Sequence, residues 1–239
     1  MLFRSPFNAL LFYLWLAYFR PEYWLWSDFV TQLNLSFIVG VFVLIATVMS
    51  KKGLRIGGAA ALMLVFLAQT FISTMLSPAF GWSWVYWQDF AKSTIISVLI
   101  VTLVDDERKF RLVFSVIAFS LGLEAVKQGW AQMVLNPGAV NQNENAVLGD
   151  NNGVAVGMFM LVAILTALAR TAATRKEKLI EQWAVVGVVY RGISTFSRGG
   201  FLAAAALGVH TLLRSRRKIV SAIGIAVVCA VIVPVMTDE

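Results

Sequence analysis

The sequence holds one cysteine, Cys229, and one histidine, His210, among 239 residues. A single thiol excludes a disulfide framework and any cysteine-based zinc cluster, and a single imidazole excludes a multi-histidine metal centre. Charge is scarce as well. Asp, Glu, Lys and Arg make up 14% of the chain, against about 25% in soluble globular domains, which excludes that class. The net charge of +7 raises the question of nucleic acid, but the cations punctuate long apolar stretches and form no single stripe. No inverted internal repeat of the transporter kind and no low-complexity tail is present.

What the chain has in abundance is hydrocarbon: 59% of residues are hydrophobic and the mean hydropathy is +0.77. Spanning helices need about 20 mostly apolar residues, with roughly 17 as a lower bound. Nine segments approach this, at 7–25, 31–49, 57–76, 91–104, 112–127, 153–171, 181–197, 200–213 and 219–236. The expected fold is therefore an all-α, polytopic transmembrane helical bundle, one integral membrane domain over 1–239. The first segment is not a cleavable signal peptide, because Phe12-Tyr13-Leu14-Trp15 runs into Arg20-Pro21 without a small-residue cleavage site.

Lys and Arg gather on the cytoplasmic side of short loops, which sets the orientation. With the N-terminus inside, fifteen of the twenty cations fall on inner ends and five on outer ones: Arg20, Lys92, Lys127, Arg191 and Arg198. The expected topology is N-terminus cytoplasmic and C-terminus extracytoplasmic. Inner connections are short and basic. Outer ones are longer and chemically varied: Pro21 to Asp28, Ser77 to Asp89, Gln128 to Asn152 and Ser197 to Gly200. A site, if present, faces outward.

Several outer features admit two readings. Six of eight tryptophans (Trp24, Trp26, Trp82, Trp84, Trp87 and Trp130) fall on the outer side, with Trp183 at the inner edge. They read either as an interfacial belt or, since a belt populates both faces, as stacking platforms for sugar rings. The loop from Asn141 through Gly149-Asp150-Asn151-Asn152-Gly153 is either a solvated turn with a helix cap or a hydrogen-bonding surface for a glycan. Glu124 and Lys127 read as a neutralising pair at a helix end. His210 falls near the inner end of its helix and is rejected as a catalytic base.

The segment Tyr190 to Gly200 is the most specific. An arginine in or near a span is a functional hypothesis by default. Arg191 and Arg198 are seven positions apart, close to two helical turns, and are expected to share a face about 10 Å apart along the axis. Gly199-Gly200 breaks that helix and lets the next start at the outer surface, presenting N–H groups and a positive dipole end. Guanidiniums beside such a terminus suit phosphate; interfacial snorkelling is the alternative.

The stretch Thr195-Phe196-Ser197-Arg198-Gly199-Gly200-Phe201-Leu202-Ala203 resembles the signature Thr-x-Ser-Arg-Gly-(Gly/Ala)-x-Leu-Ala of the O-antigen ligase and polymerase superfamily. Gly149-Asp150-Asn151-Asn152 is similar to the Gly-Asp-Asn-Asn before a span in its O-glycosylation ligase-like branch, as is the opening Leu14 to Trp26. The resemblance implies a metal-independent, cofactor-free inverting glycosyltransferase of the bacterial inner membrane. It would move a glycan from an undecaprenyl-pyrophosphate donor to a lipid A core, protein or growing-glycan acceptor on the extracytoplasmic face. Arg198 matches the signature arginine that holds the donor pyrophosphate; Arg191, which matches no family arginine, is expected to join it from its position alone. Asp150, Asn151, Asn152, Trp24 and Trp84 are the expected glycan contacts. The family's histidine and second arginine belong to a large loop after roughly the ninth span, so the chain is expected to be the N-terminal portion of such an enzyme and inactive alone. Expected partners are the polyprenyl-linked donor, the acceptor and membrane lipids, without nucleic acid. The rival readings are a polysaccharide transporter or flippase component and a non-catalytic membrane assembly partner.

Overall fold

The computed structural model describes residues 5–24, 35–50, 54–141, 145, 147–215, 218–219, 222–223 and 226. Among them the architecture is all-helical, with eight α-helices, one 3-10 turn and no strand. Trp26, Asn143 and most of the expected ninth span lie outside the described residues. The chain divides into two compact units, Met1–Val113 and Phe114–Glu239.

In the first unit, α1 (Pro6–Phe19) starts with proline at its first position, where the missing N–H costs nothing. It stops at Arg20, whose N–H makes the last bond of the helix, to the Leu16 carbonyl, and whose left-handed φ of 47° turns the chain away. A 3-10 turn, Pro21–Trp24, follows. Helix α2 (Leu35–Val48) packs on α1, and at Gly40 a Cβ would stand 3.0 Å from the Tyr13 ring, so glycine permits that approach. Helices α3 (Gly58–Met75) and α4 (Phe80–Leu103) form an antiparallel pair, zipped by Phe66 on Phe90 and Phe71 on Trp87. Helix α4 absorbs Phe80 to Asp89, which the charge pattern assigns to an outer loop. The reason is local: Phe80, Trp84 and Trp87 stack along one side, with centroids 5.7 and 5.2 Å apart, at spacings that only a helix brings together.

The boundary between the units falls inside α5 (Glu107–Leu135), a 29-residue helix that also absorbs Gln128 to Leu135 from the expected loop. In the second unit α6 (Asn151–Arg170) is central, flanked by α7 (Arg175–Ile193) and α8 (Arg198–Arg214). Its buried Val154, Met158, Leu161, Leu165 and Leu168 recur every three or four residues, the spacing of one helical stripe. Helix α5 meets α7 where a Cβ on Gly129 would lie 1.8 Å from the Gly187 carbonyl oxygen. Two glycines let the backbones touch there.

Candidate functional site

The second unit brings two helix N-termini together. Asp150 caps α6, its Oδ1 accepting the Gly153 N–H at 2.9 Å; the cap read from the sequence is present. The approach to it is built by Asn145 and Gly149, whose backbones exchange hydrogen bonds of 3.2 and 2.8 Å. Gly149 takes a left-handed φ of 72°, open to glycine. Between them Leu148 tucks beneath the first turns of α6, where a Cβ on Gly157 would sit 2.6 Å from its Cδ1.

Ser197 caps α8. Its Oγ accepts the Gly200 N–H at 3.1 Å and donates to Asn152 Oδ1 at 2.6 Å, so one hydroxyl ties the first turn of α8 to the first turn of α6. Gly200 completes the junction: a Cβ there would lie 2.6 Å from the Ala155 Cβ. Phe196, in the left-handed region at φ 51°, turns the chain into this cap. Arg198 is the first residue of α8 and is exposed, as are Asn152 and Asp150, while Asn151 is half-buried. The result is an exposed guanidinium and amides beside two adjacent helix ends, whose dipoles, and whose N–H groups beyond those taken by the Asp150 and Ser197 side chains, favour an anion.

Other expected residues are placed differently. Arg191 and Arg198 do not share a helix face, because α7 ends at Ile193 and Ser194 to Ser197 form a turn before α8. A shared face requires one continuous helix, and the helix is broken there. Arg191 is 2% exposed; its Nε donates to Gln128 Oε1 at 2.8 Å and its Nη1 approaches the Asn141 carbonyl at 3.4 Å. Glu124 accepts from Gln128 Nε2 at 2.8 Å, where the sequence suggests a pairing with Lys127. Trp130 and Trp183, expected at opposite faces, stack at 5.0 Å, with the Trp130 indole N–H on the Trp183 carbonyl. They share one level, because α5 runs on as helix to Leu135.

Trp24 and Trp84 belong to the first unit. Trp24 ends a ladder of Phe12, Trp15 and Phe19, and Trp84 sits between Phe80 and Trp87. The cluster in the second unit is built without them. His210 is exposed on α8, twelve residues and therefore ~18 Å from Arg198 along the helix axis. Ser197, Gln128 and Asn141 carry roles that the sequence pattern does not assign to them. A hydroxyl directly before an Arg-Gly-Gly helix start is the available signal for Ser197; Gln128 has only its four-residue spacing from Glu124.

Among the described residues the chain is thus all-helical, with two helices long and apolar enough to cross a membrane, α3 and α6. It belongs to a family described as a family of unknown function (DUF5935), which matches residues 1–168. That match takes in Asp150 to Asn152 and stops short of Arg191, Ser197 and Arg198. No curated protein and no solved structure matches.

Proposed function

We propose that this protein is a multi-pass membrane component of O-antigen ligase type, which holds the pyrophosphate of a polyprenyl-linked glycan donor at the paired N-termini of α6 and α8. Its substrate is a glycan on undecaprenyl pyrophosphate; its acceptor is a lipid A core, a protein or a growing glycan. The observation that carries the reading is the Ser197 hydroxyl bridging Asn152 and Gly200 beneath the exposed Arg198. Arg198 supplies a planar fork that grips phosphate oxygens bidentately, the helix ends supply N–H donors, and Asn151 and Asn152 supply amides for sugar hydroxyls.

The membrane part of the reading rests on α3. Its 18 residues have a mean hydropathy of 1.7 and are 11% buried. A core helix of a soluble protein would be covered by its neighbours, and residues 58–75 are not an N-terminal signal. Leu62, Val65, Phe66 and Ile72 are exposed along it, and α2 likewise exposes Phe37, Ile38, Phe42 and Ile45. Lipid is the solvent that suits such surfaces. We extend this to nine spans with the N-terminus cytoplasmic, in the bacterial inner membrane, so that Arg198 faces the exterior.

The test is binding of undecaprenyl pyrophosphate to the full chain in nanodiscs. Arg198→Ala is expected to abolish binding, and Arg198→Lys to weaken it nearly as much, since an ammonium cannot reproduce the bidentate grip. Wild-type binding by Arg198→Ala protein of unchanged helical content removes the proposal.

A further inference from the structure

We infer that Arg191 is a positioning residue, which ties the segment 138–141 to the last turn of α7 and so sets the approach to both helix N-termini. Its consequence for ligand binding rests on the anion-site reading above; the clamp itself rests on the hydrogen bonds alone.

The last turn of α7 and its cap residue Ser194 grip the 138–141 segment at three points. The Gly138 N–H donates to the Tyr190 hydroxyl at 3.1 Å. The Asn141 carbonyl accepts from Arg191 Nη1 at 3.4 Å. The Asn141 N–H donates to the Ser194 carbonyl at 2.7 Å. From the other side, α5 holds the same parts: Gln128 Oε1 accepts from Arg191 Nε at 2.8 Å, and Gln132 Oε1 accepts from Asn141 Nδ2 at 2.7 Å.

The orientation of the Gln128 amide follows from its neighbours. Its Nε2 donates to the Glu124 carboxylate at 2.8 Å, which turns its oxygen toward the guanidinium. An amide has one donor end and one acceptor end, so Gln128 passes the polarity of Glu124 on to Arg191. The charge of Arg191 is met inside the protein, and its 2% exposure leaves it no path to a ligand without breaking these bonds. Leaving such partners unmatched is costly.

The clamp sits upstream of both helix ends. In one direction the chain runs from Asn141 to the Asn145–Gly149 turn and the Asp150 cap. In the other it runs from Ser194 through Phe196 to the Ser197 cap. One turn of α7 thus anchors the start of both routes, and the 2.6 Å bond between Ser197 and Asn152 closes the loop.

Hydrogen exchange of the full chain in nanodiscs, read at Gly138 and Asn141, tests the clamp, with inorganic pyrophosphate as the binding probe. Arg191→Met should speed exchange at both amides about tenfold or more, as expected for losing a buried charge-assisted bond. Tyr190→Phe should do so at Gly138 with every charge intact. The exchange of order, Glu124→Gln with Gln128→Glu, puts the carboxylate directly on Arg191 and should preserve both protection and probe binding. Unchanged exchange at Gly138 in Tyr190→Phe, or at Asn141 in a folded Arg191→Met, overturns the inference. So does an exchanged pair that keeps protection but loses pyrophosphate, because the guanidinium would then serve the anion. A wild-type protein that binds no pyrophosphate sinks the anion-site reading, while the exchange rates still decide the clamp.

Discussion

Replacing Ser197 by alanine removes two hydrogen bonds with one atom. The hydroxyl caps α8 at the Gly200 N–H and reaches Asn152 on α6, and both Ser197 and Gly200 are buried. Loss of a serine cap costs about 1 kcal/mol. Loss of the bond to Asn152 adds about 1 kcal/mol. The Gly200 N–H is left in a place that water does not reach, so the two should come near their sum. A change of about 2 kcal/mol raises the open population of the α6–α8 junction roughly 30-fold. Hydrogen exchange at 199–201 and 152–154 should quicken by that order in Ser197→Ala, and much less in Ser197→Asn, whose side chain can still cap. A cycle with Asn152→Ala isolates the contact between helices. The double variant should fall short of the summed single effects by about 0.5–1 kcal/mol, the usual coupling of bonded neighbours. Strict additivity, or exchange in Ser197→Ala equal to wild type, would refute the junction on which the proposed site is built.

Two further outcomes are expected, one from the packing at Gly200 and one from the charge asymmetry of the sequence. Gly200→Ala should force α8 away from α6 and cost roughly 1–3 kcal/mol, since its Cβ would stand 2.6 Å from that of Ala155; Ala155→Gly in the same chain should recover most of the loss in thermal unfolding, and failure to do so would dismiss the close packing. In a Cys229→Ser background, a cysteine at Ser83 should react with a membrane-impermeant thiol reagent on intact cells, and one at Ser50 or Ser215 only after permeabilisation; the reverse pattern would overturn the proposed orientation.

Local chemistry is legible in the chain itself. Asp150 ahead of an apolar run announces a helix start because the cap is made by its own neighbours three residues on. The all-helical architecture follows from apolar runs with no alternation of strand type. The position of the break is less legible: Gly199-Gly200 reads as the end of a helix, but both glycines lie in the first turn of α8, and the chain changes direction at Ser194 to Ser197. What lies beyond a few residues is not legible in this way. Continuous helical geometry puts Arg191 and Arg198 on one face, but the turn at Ser194 to Ser197 separates them, and the partner of the Ser197 hydroxyl lies 45 positions away on α6. Arg191 reads as a ligand contact because a charge near an apolar run demands an explanation. Gln128, 63 positions upstream, supplies one, and sequence order gives no hint of that pairing. The same holds for Trp130 and Trp183, assigned to opposite faces by counting spans and stacked in the structure because two glycines, Gly129 and Gly187, let α5 and α7 touch. Patterns that a helix completes within its own turns are written in the chain. Which side chains meet across helices depends on where backbones can approach, and that is decided only when the helices pack.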